Sequence, residues 1–227
     1  MIVCHRYKFI FLKTRKTAGT SIEIGLSRFC SDDDIITPIK REDERTRRQL
    51  GYRGPQNFRL SPFRYSRNDW ARLVTRFKPA RCHNHMPATL VRKWVGEEVW
   101  NSYFKFAFER NPWDKMISSY YWRTRRMNRR PTFEAFVHEY AEQLSDFRIY
   151  STDGEVAVNH VGRFENLEQE LEAIVRRLGL PERLELPRAK ATQRLDKRHY
   201  HDVYGPAERQ RVEDAFAREI ALLGYRF

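Results

Sequence analysis

Cysteine is scarce in this 227-residue chain. Cys4, Cys30 and Cys82 are odd in number and widely spaced, which argues against a secreted disulfide framework and fits reduced thiols in a cytoplasmic compartment. Long apolar runs are lacking too. The N-terminus passes from Ile2 and Val3 to His5, Arg6 and Lys8, and the run Phe9 to Leu12 is far too short for a signal sequence or a membrane span. Any membrane contact is therefore expected to be peripheral. No internal repeat and no sustained heptad emerges, which speaks against solenoids and coiled coils. Acidic residues are in deficit, 30 against 43 lysines and arginines, for a formal net charge of +13. Such a chain attracts phosphorylated or sulfated ligands, nucleic acid or an anionic membrane surface, and the excess alone does not choose among them.

What is present is enough for a packed core. Hydrophobic residues make up 41% of the chain and aromatic residues 14%, despite a charged content of 32%, and the length suits one domain over residues 1–227. Residues 8–13, Lys-Phe-Ile-Phe-Leu-Lys, read as a buried strand, and Ile22, Leu26 and Phe29 then recur at helical spacing. From Asp32 to Lys78, prolines at 38, 55 and 62 and glycines at 51 and 54 break up a basic stretch. It reads as an excursion with short helices, the clearest at Asp69 to Phe77, where Trp70, Leu73, Val74 and Phe77 share a face. A helix over 87–95 follows. Phe104, Phe106 and Phe108 alternate along a strand in which Lys105 argues against full burial. Asn111-Pro112-Trp113-Asp114 is a helix start, with Asn111 as cap and Pro112 at the first helical position. Further helices are expected near 132–144, over 167–178 ending at Gly179, and after Gly205-Pro206 with Val212, Phe216, Ile220 and Leu223 inward; a short strand is expected at Val158 to Phe164. The fold class is α/β, a single domain with a central parallel sheet flanked by helices.

Three segments carry the residue types for anion chemistry. In Lys13-Thr14-Arg15-Lys16-Thr17-Ala18-Gly19-Thr20-Ser21, Gly19 permits close backbone approach, Thr17, Thr20 and Ser21 can donate hydrogen bonds, and Lys16 offers a mobile cation. The lysine precedes the glycine, so the segment does not match GxxxxGK[ST] of ordinary nucleotide loops, and a basic turn with a capped helix is the bland alternative. The helix start at Asn111-Pro112-Trp113-Asp114, with Ser118 on the same face as Asp114, makes a second strand-turn-helix candidate for a phosphate site. In Cys82-His83-Asn84-His85-Met86-Pro87, either histidine can take a proton near neutrality. A metal site from Cys82, His83 and His85 lacks a clear fourth ligand.

Arg15-Lys16-Thr17-Ala18-Gly19-Thr20-Ser21 resembles the PKTxxTS loop of the Golgi-type carbohydrate sulfotransferases and their bacterial relatives. Arg110-Asn111-Pro112-Trp113-Asp114-Lys115-Met116-Ile117-Ser118-Ser119-Tyr120 resembles that family's RNPxxRxxSxY segment. Val161 to Leu167 and the ending Gly224-Tyr225-Arg226-Phe227, with Tyr200 and Tyr204, extend the likeness over nearly the whole chain. The resemblance implies a P-loop-kinase-like sulfotransferase fold and an enzyme using PAPS, the adenylyl sulfate donor carrying a 3′-phosphate, with PAP as product and no metal. It implies that Arg15, Lys16, Thr17, Ala18, Gly19, Thr20 and Ser21 wrap the 5′-phosphosulfate and that Arg110 and Ser118 bind the 3′-phosphate. Lys16 would assist transfer, and His85, two residues before Pro87, would be the base, a better match than His83. Arg15 replaces the usual proline and Lys115 a common arginine. The acceptor implied is a carbohydrate or glycoconjugate hydroxyl, shaped in part by residues 31–78; Lys190, Arg194, Lys197 and Arg198 are further phosphate candidates. The rival readings are an ATP-dependent nucleotide or sugar kinase and a non-catalytic nucleic-acid-binding protein, the latter suggested by aromatics among the arginines of Tyr120 to Arg130.

Overall fold

A computed structural model describes residues 1–60, 62–187 and 199–227. Its strands are β1 (Ile2–Cys4), β2 (Phe9–Phe11), β3 (Ile35–Ile36), β4 (Phe104–Glu109), β5 (Ser151–Thr152), β6 (Glu155–Val156) and β7 (His160–Arg163). β5 and β6 make a small hairpin, and the other five form one sheet in the order β3-β1-β2-β4-β7. β2, β4 and β7 run parallel, with Phe11 opposite Phe106 and Ala107 opposite Val161. The expected parallel sheet is thus extended by an antiparallel edge, because β1 pairs antiparallel with both β2 and β3. The link 5–8 is too short for a parallel crossover, so the chain turns back as a hairpin, with Lys8 left-handed at φ 49°.

The helices are α1 (Gly19–Ser27), α2 (Arg41–Gln49), α3 (Arg67–Arg76), α4 (Ala88–Val95), α5 (Glu97–Ser102), α6 (Pro112–Thr124), α7 (Phe133–Leu144), α8 (Phe147–Tyr150), α9 (Leu167–Leu178), α10 (Pro206–Ala215) and α11 (Ala217–Leu223). Among the described residues none is long and apolar enough to cross a membrane. Strand alternation decides what covers each face of the sheet. Phe9, Phe11, Phe106 and Phe108 meet Ile22 and Leu26 of α1 and Leu171 and Ile174 of α9. Ile10, Leu12 and Ala107 point the other way, toward Val91 of α4, Trp100 of α5 and Tyr150 of α8. A third cluster joins Trp113 and Met116 of α6 to Phe136 and Val137 of α7 and Val212 of α10.

Several local expectations meet a physical correction. Lys105 is buried after all: its ammonium donates to the carbonyls of Trp100 at 2.8 Å and Tyr103 at 2.9 Å and lies over the Trp100 ring, so the charge is solvated by backbone and indole. The last helix breaks at Phe216, whose φ of −114° and ψ of 19° end α10 and let α11 start on a new axis. Helix α2 has no apolar stripe to announce it; its signal is charge order, with Glu42, Asp43 and Glu44 in the first turn and Arg47 and Arg48 in the last. The helix expected around Asp69 to Phe77 exists, but no residue of α3 is buried. Phe106→Ala is therefore expected to cost about 3–5 kcal/mol in urea unfolding, and Val74→Ala on α3 less than about 0.5 kcal/mol; comparable losses would contradict this division between core and surface.

Candidate active site

Parallel pairing of β2 with β4 brings the two candidate anion segments together, since each leaves the carboxyl end of its strand. The Thr14 hydroxyl donates to the carbonyl of Phe108 and lies 2.9 Å from the Thr17 hydroxyl, pinning the first loop to the end of β4. Lys16 and Ala18 are both left-handed, at φ 66° and 54°, an uncommon state for residues with a Cβ and one that gathers at ligand-binding turns. Ala18 caps α1 without a side-chain hydrogen bond, and no acid occupies the first turn. The amino end of α1 thus keeps its positive pole and its backbone donors for an anion. Gly19 is required by contact: a Cβ there would stand 2.8 Å from Cγ of Lys13 and 3.3 Å from the carbonyl of Thr14. Thr17 and Ser21 are buried and Thr20 is half-buried.

Arg110 joins the two segments. Its Nη1 donates to the Lys16 carbonyl at 3.1 Å and to the Ser118 hydroxyl at 3.4 Å, while Nε and Nη2 hold Asp114 at 2.9 and 2.6 Å. The face of Phe164 supports the guanidinium at 4.5 Å. Helix α6 begins as its sequence predicts, with Asn111 Oδ1 accepting from the amides of Trp113 and Asp114 and Pro112 in the first turn.

Behind the loop lies a buried ionic network that sequence reasoning missed. Asp146 accepts from the backbone and Nε of Arg15, each at 2.6 Å, and pairs with Lys115 at 2.8 Å. Lys115 also holds Glu109 at 2.9 Å. The basic residue of the second segment therefore faces inward, and the Arg15 guanidinium turns to Asp146 and the Ser145 carbonyl. Burial opposes the charge on Lys115, but Asp146 and Glu109 outweigh it and raise the pKa. Burial likewise opposes the Asp146 charge, and Lys115 and Arg15 more than compensate, lowering its pKa. Glu109 is pushed up to about 7 by burial, and its Oε1 is buried without a hydrogen-bond partner among the described residues. A parallel pair, Lys13 with Glu23 at 2.7 Å, underlies the start of the loop, and Arg47 of α2 closes on Glu23 at 3.7 Å.

The two histidines separate. His83 is exposed and bonds to the neighbouring Asn84 carbonyl, whereas His85, left-handed at φ 61°, places Nδ1 2.8 Å from the Lys13 carbonyl. A carbonyl can only accept, so Nδ1 carries the proton and Nε2 keeps its lone pair. Burial draws the ring down to about 4, against the pull of Asp146 and of the Lys13 bond, so it is neutral at pH 7. The metal reading finds no support in these residues, since among the described residues the ligand-type side chains that converge are Cys4, Cys30 and Asp34, not Cys82, His83 and His85. Trp122 of α6 is a further unforeseen element: Lys16 and Lys40 stand 5.6 and 4.7 Å from its ring centre. Lys190, Arg194, Lys197 and Arg198 lie outside the described residues.

A profile of the sulfotransferase family matches residues 1–226. This chain belongs to that family. A sulfotransferase is an enzyme that moves a sulfuryl group. An uncharacterized protein of Archaeoglobus fulgidus is 32% identical over 113 residues, 44% of this chain and 88% of the relative. The structure of mouse sulfotransferase SULT7A1 complexed with PAP covers 96% of this chain and 86% of its own, at 12% identity and a TM-score of 0.47. Roles for individual residues of this sulfotransferase rest on its own geometry.

The His85 ring is expected to titrate near pH 4 by proton NMR rather than at the ordinary 6.5. The unfolded chain then takes up the proton first, so His85 makes stability fall as pH drops from about 6.5 toward 4 and costs nothing above that window. Urea midpoints of wild type and His85→Asn should converge differently across this range; identical pH profiles would refute the buried, neutral state.

Proposed function

We propose that the protein transfers the sulfuryl group of PAPS to a carbohydrate or glycoconjugate hydroxyl. The observation that carries this is Arg110, which ties the Lys16 loop to Ser118 and so makes one anion-binding surface from two distant segments. The fit to PAPS rests on this chain: the uncapped amino end of α1 suits the phosphosulfate end, and Arg110 with Ser118 suits the 3′-phosphate. PAPS supplies a sulfuryl group bound through oxygen to a phosphate that departs as part of PAP.

In this reading His85 Nε2 accepts the proton of the attacking hydroxyl as its oxygen bonds to sulfur. Lys16 and the backbone donors of residues 17–20 stabilise the charge that builds on the departing phosphate oxygen. Positioning and electrostatics supply most of the catalysis, as in phosphoryl transfer. Arg15 serves through Asp146, which fixes the loop's entry, as well as through its charge. Cations can take the place of a metal here, so turnover is expected to persist in EDTA, which also separates the proposal from a magnesium-dependent kinase. Trp122 with Lys16 and Lys40 supports an acceptor presented to an aromatic face near cations. Lys40 belongs to the 31–78 segment proposed to shape the acceptor side. The buried, unpaired thiols support a reducing, cytoplasmic setting.

Calorimetry at matched salt tests the donor site. PAP should bind well above AMP, and Arg110→Ala should remove about 2–5 kcal/mol of PAP affinity; equal affinities for the two nucleotides would defeat the 3′-site, and tight, phosphate-indifferent binding of arbitrary polynucleotide would favour the nucleic-acid reading. For the chemical step, His85→Asn is expected to cut kcat about 10²-fold or more with PAP binding nearly intact. Lys16→Met should likewise lower kcat more than donor affinity. A panel of glycans read by mass shift supplies the acceptor, and near-normal sulfation by the His85 variant would remove it as base.

A further inference from the structure

Residues 59–60 and 62–81 form an arm whose helix α3 buries none of its side chains. Its base is closed by an antiparallel bridge between Arg59 and Arg81 and by hydrogen bonds from Leu60 to Ala80 at 3.0 Å and from Cys82 to Phe58 at 2.7 Å. The Tyr65 hydroxyl accepts from the Ala80 amide at 3.1 Å. Beyond that base the arm is well specified yet unsupported. α3 opens on a reciprocal Ser66 and Asp69 capping box and closes at left-handed Phe77, but buries none of its residues.

The exposed side chains are the wrong kind for a merely solvated helix. Phe63 is fully exposed, Phe77 87%, Val74 70% and Trp70 47% exposed. Trp70, Val74 and Phe77 repeat at helical spacing and Tyr65 packs edge-on against Trp70 at 5.3 Å, so they make one contiguous stripe. Around it stand Arg67, Arg72, Arg76 and Lys78, while the single acid between 59 and 81, Asp69, is occupied in the capping box. Charge complementarity chooses the occupant. Four cations without a free acid call for an anionic neighbour, and a second copy of this chain, itself at +13 with the same basic arm, would be repelled, whereas an anionic bilayer takes aromatic anchors and flanking arginines together, and long basic stems reach from the apolar boundary to the headgroups.

We infer that the 59–81 arm docks the protein on an anionic lipid bilayer. Phe63, Trp70, Val74 and Phe77 enter the headgroup-acyl boundary, and Arg67, Arg72, Arg76 and Lys78 pair with lipid phosphates. α3, at ten residues, lies in the plane of the surface. From the base of the arm the chain runs directly through Cys82 to His85, so docking sets the candidate site against molecules carried at the membrane. The docking stands independently of the transfer reading, because it needs neither donor nor acceptor.

Flotation of the full chain with phosphatidylcholine vesicles, with and without about one-third phosphatidylglycerol, tests it. The protein should float with the anionic vesicles at low salt, bind neutral ones at least ~10-fold more weakly, and be released as salt rises. Phe63→Ser combined with Phe77→Ser should weaken binding ~10-fold or more, and Arg72→Gln combined with Arg76→Gln should weaken it and flatten its salt dependence. Circular dichroism and unchanged unfolding midpoints establish that both variants fold. Failure to float with anionic vesicles, equal binding to neutral ones, or undiminished binding by the folded Phe63/Phe77 variant would overturn the inference. Self-association abolished by that variant, without vesicle binding, would assign the stripe to a second copy of the chain and also overturn it.

Discussion

The buried carboxylate of Asp146 holds the candidate site in register. It accepts from Arg15 at the mouth of the first loop and from Lys115 in the second turn of α6, so two segments far apart in sequence share one desolvated anion. A buried charge tolerates only small displacements of its partners, because losing either leaves the other uncompensated in a medium that solvates it poorly. Lys115 passes the constraint to Glu109 at the end of β4. The loop that leaves β2, the helix that follows β4 and the end of β4 itself therefore cannot shift separately. A second desolvated pair, Lys13 with Glu23, repeats the device on the helix side of the same loop.

His85 enters this arrangement through the backbone. Its ring bonds to the carbonyl of Lys13, the residue whose ammonium is already held by Glu23, so its position follows from the same ion pair that supports the loop. Burial keeps the ring neutral and the carbonyl selects its tautomer. Arg110 acts differently: it lies partly exposed across the loop and α6, and a ligand phosphate would compete with Asp114 for its donors.

Local signals were legible where one residue decides the geometry. The Asn111 cap, Pro112 in the first turn, Gly179 after α9 and the alternating phenylalanines of β4 each occur where their types require. The strand-loop-helix units followed from them, whereas the pairing of β2 with β4 that joins two of those units did not. Long-range partners were not legible. Lys105 argued against full burial and Lys115 stood only for a common arginine, because nothing local to either residue shows that Trp100, Tyr103 or Asp146 will meet it. β1 and β3 are too short to display a period, and α2 is stabilised by charge order and by Arg47 reaching Glu23. The apolar stripe of α3 was read correctly as a helix face, yet period alone cannot distinguish a face that meets the core from one that meets something else.

The far end of the chain also reaches the loop. Glu219 of α11 accepts from the Ser145 hydroxyl and from the amides of Asp146 and Phe147, and Tyr225 bonds to Glu165, whose other oxygen receives the amide of Asn111. During synthesis the loop at 15–18 leaves the ribosome long before these partners exist, and N-terminal segments collapse first. The sheet and α1 can assemble early, but Asp146 is not clamped until Glu219 has emerged. The carboxylate that orders residues 145–147 thus becomes available only after the strands and helices it supports have been made.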